Sequence, residues 1–126
     1  MPLTHYIIVR RDLPLGVAMA QVTHAAGESF ARCCLWDNTV GSIHLPGTVA
    51  VVLGVRDEKQ LKYYERRLEK AGIDYTAIHE NAGFAAGQMT AIGCWPTEDR
   101  AKVFKVLKKL NPILELTCDL AKNANT

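Results

Sequence analysis

Gln21, His24 and Glu28 have the side-chain types and the spacing, three and four residues apart, for acid–base chemistry. On a helix such positions share one face, so the amide, imidazole and carboxylate would stand in a row. An imidazole serves as a general base near neutral pH, a carboxylate orients it, and an amide positions water or substrate. The same spacing also fits a surface histidine with a glutamate one turn on and no chemical duty. The stretch from Arg10 to Glu28 favours a site, because an apolar strand there runs into a helix expected from about Leu15 to Cys34. The opposite face of that helix is apolar, with Val17, Ala18, Val22, Ala25, Ala26 and Phe30. Small residues allow close approach to a sheet, which would hold the polar row rigidly at the sheet's end.

The elements that must do the positioning fit in one domain. A chain of 126 residues, 48% hydrophobic and 22% charged, is expected to form a single domain over 1–126. Its longest apolar run, Thr48 to Val55, has strand length and cannot cross a bilayer. Met1 to His5 lacks the basic-then-apolar pattern of a signal peptide, so the cytoplasm is the expected location. Cys33 and Cys34 are adjacent, while Cys94 and Cys118 stand alone, so no pair has zinc or redox spacing and reduced thiols are expected. His44 and His79 also lack a second ligand at metal-binding spacing, and no metal or cofactor is expected. The net charge of +2 is too small to indicate nucleic acid. Its distribution says more: Lys62, Arg66, Arg67 and Lys70 cluster on one expected helix, and Lys102, Lys105, Lys108 and Lys109 on another. Two basic helices would track a phosphate backbone, or be solvated faces.

Along the chain, His5 to Arg10 reads as a strand buried on both faces, and Gly47 to Val55 as a continuous apolar strand of central, parallel type. Asp57 with Gln60 gives a capping box for a helix whose buried stripe is Leu61, Tyr64, Leu68 and Ala71, and Gly72 ends it. Ile73 to His79 and Gln88 to Cys94 are expected to pair as a hairpin. Thr97 is expected to cap the last helix, with Val103, Phe104, Val106, Leu107 and Leu110 inward and Asn111-Pro112 as its stop. Ile113 to Leu116 offers a short edge strand. The fold class is therefore α/β, with four main strands and helices between them.

Val9-Arg10-Arg11-Asp12-Leu13, then Gly16, then Ala20-Gln21-Val22-Thr23-His24-Ala25-Ala26, resembles the type 2 peptidyl-tRNA hydrolases of archaea and eukaryotes. In that family the strand and helix read V-R-x-D-L, G-K and A-x-Q-x-x-H-A-A. Asn81-Ala82-Gly83, followed by Gly87, Thr90, Ile92-Gly93 and Pro96, is similar to the family's D-A-G and P-G-S-x-T-x-x-G-x-x-P. The resemblance covers about 4–110, the core of the expected domain, and implies a mixed four-stranded sheet flanked by helices on both faces. It also implies cofactor-free hydrolysis of the ester between a peptide and tRNA, and often a homodimer. Carried over by position, it marks His24, Gln21, Asp12 and Thr90 as site residues. Two positions depart from the pattern: Val17 stands where the family has a functional lysine, and Asn81 where it has the D-A-G aspartate. Phe84 then follows Gly83 directly, without the family's arginine and threonine. Valine cannot stabilise an oxyanion, and an asparagine amide positions but does not accept a proton.

The first expectation is thus a peptidyl-tRNA hydrolase-like esterase. His24 is its base or water-positioner, Asn81 and Thr90 hold water or substrate, and Glu28 or Asp12 orients the ring. Arg10 or Arg11 supplies positive charge, and Lys62, Arg66, Lys102 and Lys105 meet tRNA phosphates. A second is a family scaffold that has lost its chemistry and binds tRNA or other RNA. A third is a small-ligand regulatory protein with a pocket between His24 and Asn81, walled by Trp36 or Trp95.

Overall fold

The computed structural model describes residues 3–36, 48–81, 83 and 86–112. Strands β1 (Thr4–Arg10), β2 (Val49–Val55), β3 (Tyr75–His79), β4 (Met89–Cys94) and β5 (Asn111–Pro112) form one mixed sheet in the order β3-β4-β1-β2-β5. Helix α1 (Leu15–Trp36) links β1 to β2, α2 (Glu58–Lys70) links β2 to β3, and α3 (Arg100–Leu107) follows β4. β1 and β2 pair in parallel from Thr4 opposite Val49 to Arg10 opposite Val55. β4 is antiparallel to both β1 and β3, so β1, β2 and β3 all point their carboxyl ends at one rim of the sheet.

Side-chain alternation along β1 sorts the core into two layers. Tyr6 and Ile8 pack with Leu61, Tyr64 and Leu68 of α2 and with Val103, Val106 and Leu107 of α3. Ile7 and Val9 pack on the other face with Ala18 and Ala25 of α1. Helices therefore cover both faces, as the sequence implied.

Four details correct that reading. Among the described residues the sheet has five strands, the fifth being the Asn111–Pro112 pair expected only to stop a helix. Proline has no N–H to donate, so an edge strand is where a sheet accommodates it; the edge strand expected at 113–116 lies outside the described residues. The central strand is β1, buried along its whole length, whereas Val49 and Ala50 of β2 are exposed, the described residues of β5 pairing with Leu53 and Gly54. The last helix is capped by Asp99, whose carboxylate accepts from Lys102 N at 3.2 Å, and Thr97 instead accepts from Asp99 N at 3.0 Å. Phe104, placed inward by its spacing, is 54% exposed.

Asp57 caps α2 as expected, accepting from Gln60 N at 2.9 Å, while Gln60 Oε1 accepts from Arg56 N, one residue before the cap, at 2.6 Å. Gly72, at φ +72°, takes the left-handed conformation that closes the helix.

Close contact between α1 and β4 depends on Gly93, where a Cβ would collide with the Ala25 carbonyl oxygen and the Ser29 side chain. Gly93→Ala is expected to lower the unfolding free energy by about 1–3 kcal/mol, as overpacking does, read from the urea midpoint. A midpoint equal to wild type would show that α1 yields without strain.

Beside that contact, the Ser29 hydroxyl donates to Ala25 O at 2.6 Å and so accepts from His5 Nε2–H at 2.7 Å, with both side chains buried. Burial lowers the His5 pKa from its ordinary 6.5, so the unfolded chain binds a proton that the folded chain refuses. The stability that neutral His5 contributes is complete above the unfolded value and is lost as pH falls through the window below it. Between about pH 7.5 and 5.5, where carboxylates stay ionised, wild type should lose stability more steeply than His5→Gln. Equal slopes for the two proteins would remove His5 as the cause.

Candidate active site

The buried stripe of α1 is Ala18, Gln21, Ala25, Ser29 and Cys33. Gln21 therefore does not stand in an exposed row with His24 and Glu28; it is 5% exposed and faces the sheet. A buried amide persists there only if its donors and acceptor are met. Thr90 Oγ1 donates to Gln21 Oε1 at 2.8 Å, and Gln21 Nε2 donates to Glu80 Oε2 at 2.8 Å. The other oxygen of Glu80 accepts from Asn81 N at 3.0 Å. A continuous chain of hydrogen bonds thus joins β4, α1, the end of β3 and the turn that begins at Asn81.

A β-bulge aims Thr90 at this chain. His79 pairs with Met89 and Ile78 with Ala91, leaving Thr90 as the extra residue on β4. Met89 packs in the α2 layer and Ala91 in the α1 layer, and the inserted residue turns its hydroxyl to α1. The turn itself is held by Gly87 N to Glu80 O at 2.7 Å and Glu80 N to Gln88 O at 3.0 Å.

His24 lies one helical turn beyond Gln21 and is exposed, with Glu28 exposed a further turn along. Asn81 is exposed at the mouth of the turn. Val17, where the resembled pattern has lysine, is half-buried against the Ile7–Val9 layer and carries no charge.

The strand end between these groups is braced by an ion pair. Arg10, 5% exposed, donates through Nε and Nη2 to the two oxygens of Asp12, at 2.8 Å each. Its Nη1 donates to Gln88 Oε1 at 2.7 Å and Met89 O at 3.2 Å. The hydrogen bond to Asp12 holds the arginine pKa above its ordinary value, so this guanidinium is a fixed cation engaged on three sides. Arg11, next in sequence, turns away towards β5 and donates to the Asn111 and Pro112 carbonyls at 3.3 and 3.2 Å.

The structure brings Gln21, Thr90 and the Asn81 turn together at the rim, with His24 along the same helix and the Arg10–Asp12 pair alongside. It does not bring Lys62, Arg66, Lys102 and Lys105 to them. Those four are exposed on α2 and α3, across the sheet from α1, with Lys62 near Glu58 at 3.6 Å and Lys102 near Gly72 O at 3.5 Å. Trp95 is also remote, at the far end of β4, where its Nε1 donates to Thr76 Oγ1 at 3.2 Å. It walls a separate hollow with Cys33, Asp74 and Lys102, so it cannot line one between His24 and Asn81. The side chain of Trp36 lies outside the described residues. Burial pushes the Cys94 thiol up to about 12 and leaves it inert. Among the described residues, no cluster of three His, Cys, Asp or Glu side chains is placed to hold a metal ion.

Glu80 is the member that the sequence reading missed. It immediately precedes Asn81, and its carboxylate is the only ionised group in the hydrogen-bonded chain from Thr90 to Asn81. Chemically, the rim offers an exposed carboxamide on a carboxylate-anchored turn, with an exposed imidazole further along α1. Such a set suits water attack on an acyl ester.

Residues 3–113 match the family model described as peptidyl-tRNA hydrolase PTH2. A search of curated proteins finds no match. No helix among the described residues is long and apolar enough to cross a membrane. The family match runs from ahead of β1 to past β5, and the chain belongs to the peptidyl-tRNA hydrolase PTH2 family.

Proposed function

We propose that this chain hydrolyses the ester joining a peptide, or another acyl group, to tRNA, at the rim where β1, β3 and β4 meet α1. The observation that carries the reading is the unbroken hydrogen-bond chain Thr90, Gln21, Glu80, Asn81 beside the exposed His24. His24 takes a proton from water as the water oxygen attacks the ester carbonyl carbon. The carbonyl electrons move onto their oxygen while the Asn81 carboxamide holds the attacking water. Collapse expels the ribose oxygen, which takes the proton from His24, leaving a peptide acid and a tRNA with a free terminal hydroxyl.

Glu80 and Gln21 act by position. They fix the Asn81 turn and Thr90 relative to α1, so that little reorganisation is left for the reaction itself. Asp12 and Arg10 brace the strand end, and Arg11 meets a phosphate. The basic faces of α2 and α3, with Lys62, Arg66, Lys102 and Lys105, steer tRNA from the opposite layer, which requires the RNA to wrap around the rim.

Incubation of the purified chain with a blocked aminoacyl-tRNA tests this reading. Acyl release above the buffer rate is expected. Salt-dependent tRNA binding without release would make the chain a binding module and overturn the esterase reading. Restoring lysine and aspartate in Val17→Lys/Asn81→Asp is expected to raise the rate at least about tenfold, since each positioned charge contributes that much or more. An unchanged rate would show that those two positions do not limit this enzyme.

A further inference from the structure

Strand β4 outruns its partner β1. Their pairing ends at Val9 opposite Ala91, so Met89 and Thr90 lie past the last pair, with β3 on one flank and no paired strand on the other among the described residues. The N–H and C=O of one residue leave a strand on the same side. Met89 is 1% exposed, so both groups need partners away from water. Side chains supply them: Met89 N–H donates to Glu58 Oε2 at 2.8 Å, and Arg10 Nη1 donates to Met89 O at 3.2 Å. A carboxylate and a guanidinium thus do for Met89 what a neighbouring strand does elsewhere in the sheet.

Arg10 reaches Met89 from the end of β1, where Asp12 holds it. Glu58 reaches it from the opposite layer, as the first residue of α2, directly after the Asp57 cap. Its side chain is 28% exposed, and the contact of the same oxygen with Lys62 at 3.6 Å is an exposed pair that constrains it little. Thr90 comes next. As the extra residue of the bulge it takes its direction from where the backbone before it is held, and its hydroxyl meets Gln21.

We infer that Glu58 is a positioning residue of the rim: it holds the Met89 N–H, and through it the bulge that turns the Thr90 hydroxyl to Gln21. That this position matters for acyl release, and only that, rests on the proposed function. An acid in the first turn of a helix also complements the positive helix end, whatever lies beyond it. The two roles rank substitutions in opposite orders. Glu58→Gln keeps the length and an acceptor oxygen but loses the charge. Glu58→Asp keeps the charge at the helix end but is one methylene shorter, and Glu58→Ala keeps neither.

The test is NMR of the full chain labelled in its amides and threonine methyls, with single-turnover acyl release from N-acetylaminoacyl-tRNA on the same variants. In Glu58→Asp and Glu58→Ala the Thr90 methyl signal should move and the Met89 N–H should exchange faster with solvent. Both should stay as in wild type in Glu58→Gln. Acyl release should fall by about 10–100-fold in the aspartate and alanine variants, the cost of a small misplacement, and be retained in the glutamine variant. The remaining amide spectrum reports whether each variant is folded, and Glu58→Asp keeps the test intact should alanine unfold the chain. An unmoved Thr90 signal in folded Glu58→Asp, or a glutamine variant as impaired as alanine, would overturn the inference. A displaced Thr90 with undiminished release would overturn its link to the reaction. No release by the wild type, with the Thr90 pattern as expected, would fell the esterase reading alone.

Discussion

His24→Ala is expected to slow acyl release from blocked aminoacyl-tRNA by about 10²–10⁴-fold, the usual contribution of a positioned general base. The structure makes this a clean experiment. His24 is exposed on α1 and its ring makes no hydrogen bond among the described residues, so alanine removes no buried contact. Alanine is also the better helix former. The urea midpoint should therefore stay within about 0.5 kcal/mol of wild type, as for ordinary surface substitutions. A large fall in rate with unchanged stability would place the effect in the chemistry. A rate within about threefold of wild type, far below the loss of a general base, would remove His24 from it.

Gln21→Leu should behave in the opposite way and damage both fold and rate. Leucine fills much of the same space but leaves the Thr90 hydroxyl without its short acceptor and Glu80 without one of its donors. Buried polar groups left unpaired cost about 1–3 kcal/mol, with the half-buried Glu80 partly rescued by water. A loss of about 2–3 kcal/mol is expected on that basis, together with a fall in rate of about tenfold or more as the Asn81 turn drifts. Urea unfolding and single-turnover kinetics on the same preparation read the two effects. Full stability with full rate would mean that the hydrogen-bond chain does not hold the site.

The contrast between these residues also explains what the sequence revealed. Helix α2 was legible almost to its end, because Leu61, Tyr64 and Leu68 of its stripe, its Asp57 cap and its Gly72 stop are all local, whereas Ala71, expected in the buried stripe, is the exposed C-cap. The β1–α1–β2 unit and the β3–β4 hairpin followed from apolar runs and turn residues for the same reason. Gln21 misled, because an amide spaced with His24 and Glu28 reads as a surface residue. Its burial is decided by Thr90 and Glu80, 69 and 59 residues away in sequence. The direction of Thr90 depends on a bulge, which leaves no periodic signal. β5 is only two residues long and exists through pairing with Leu53 and Gly54. That the basic helices lie across the sheet from α1 is a matter of topology, which charge clustering along the chain does not encode.

The central claim is that water, activated at this rim, cleaves the acyl–ribose ester. Single-turnover reaction of the wild-type chain with N-acetylaminoacyl-tRNA in ¹⁸O-labelled water tests it most directly. The account predicts release faster than in buffer, with one ¹⁸O in the acyl carboxylate and a tRNA that can be charged again. An ester that persists at the buffer rate while the tRNA is bound would contradict it.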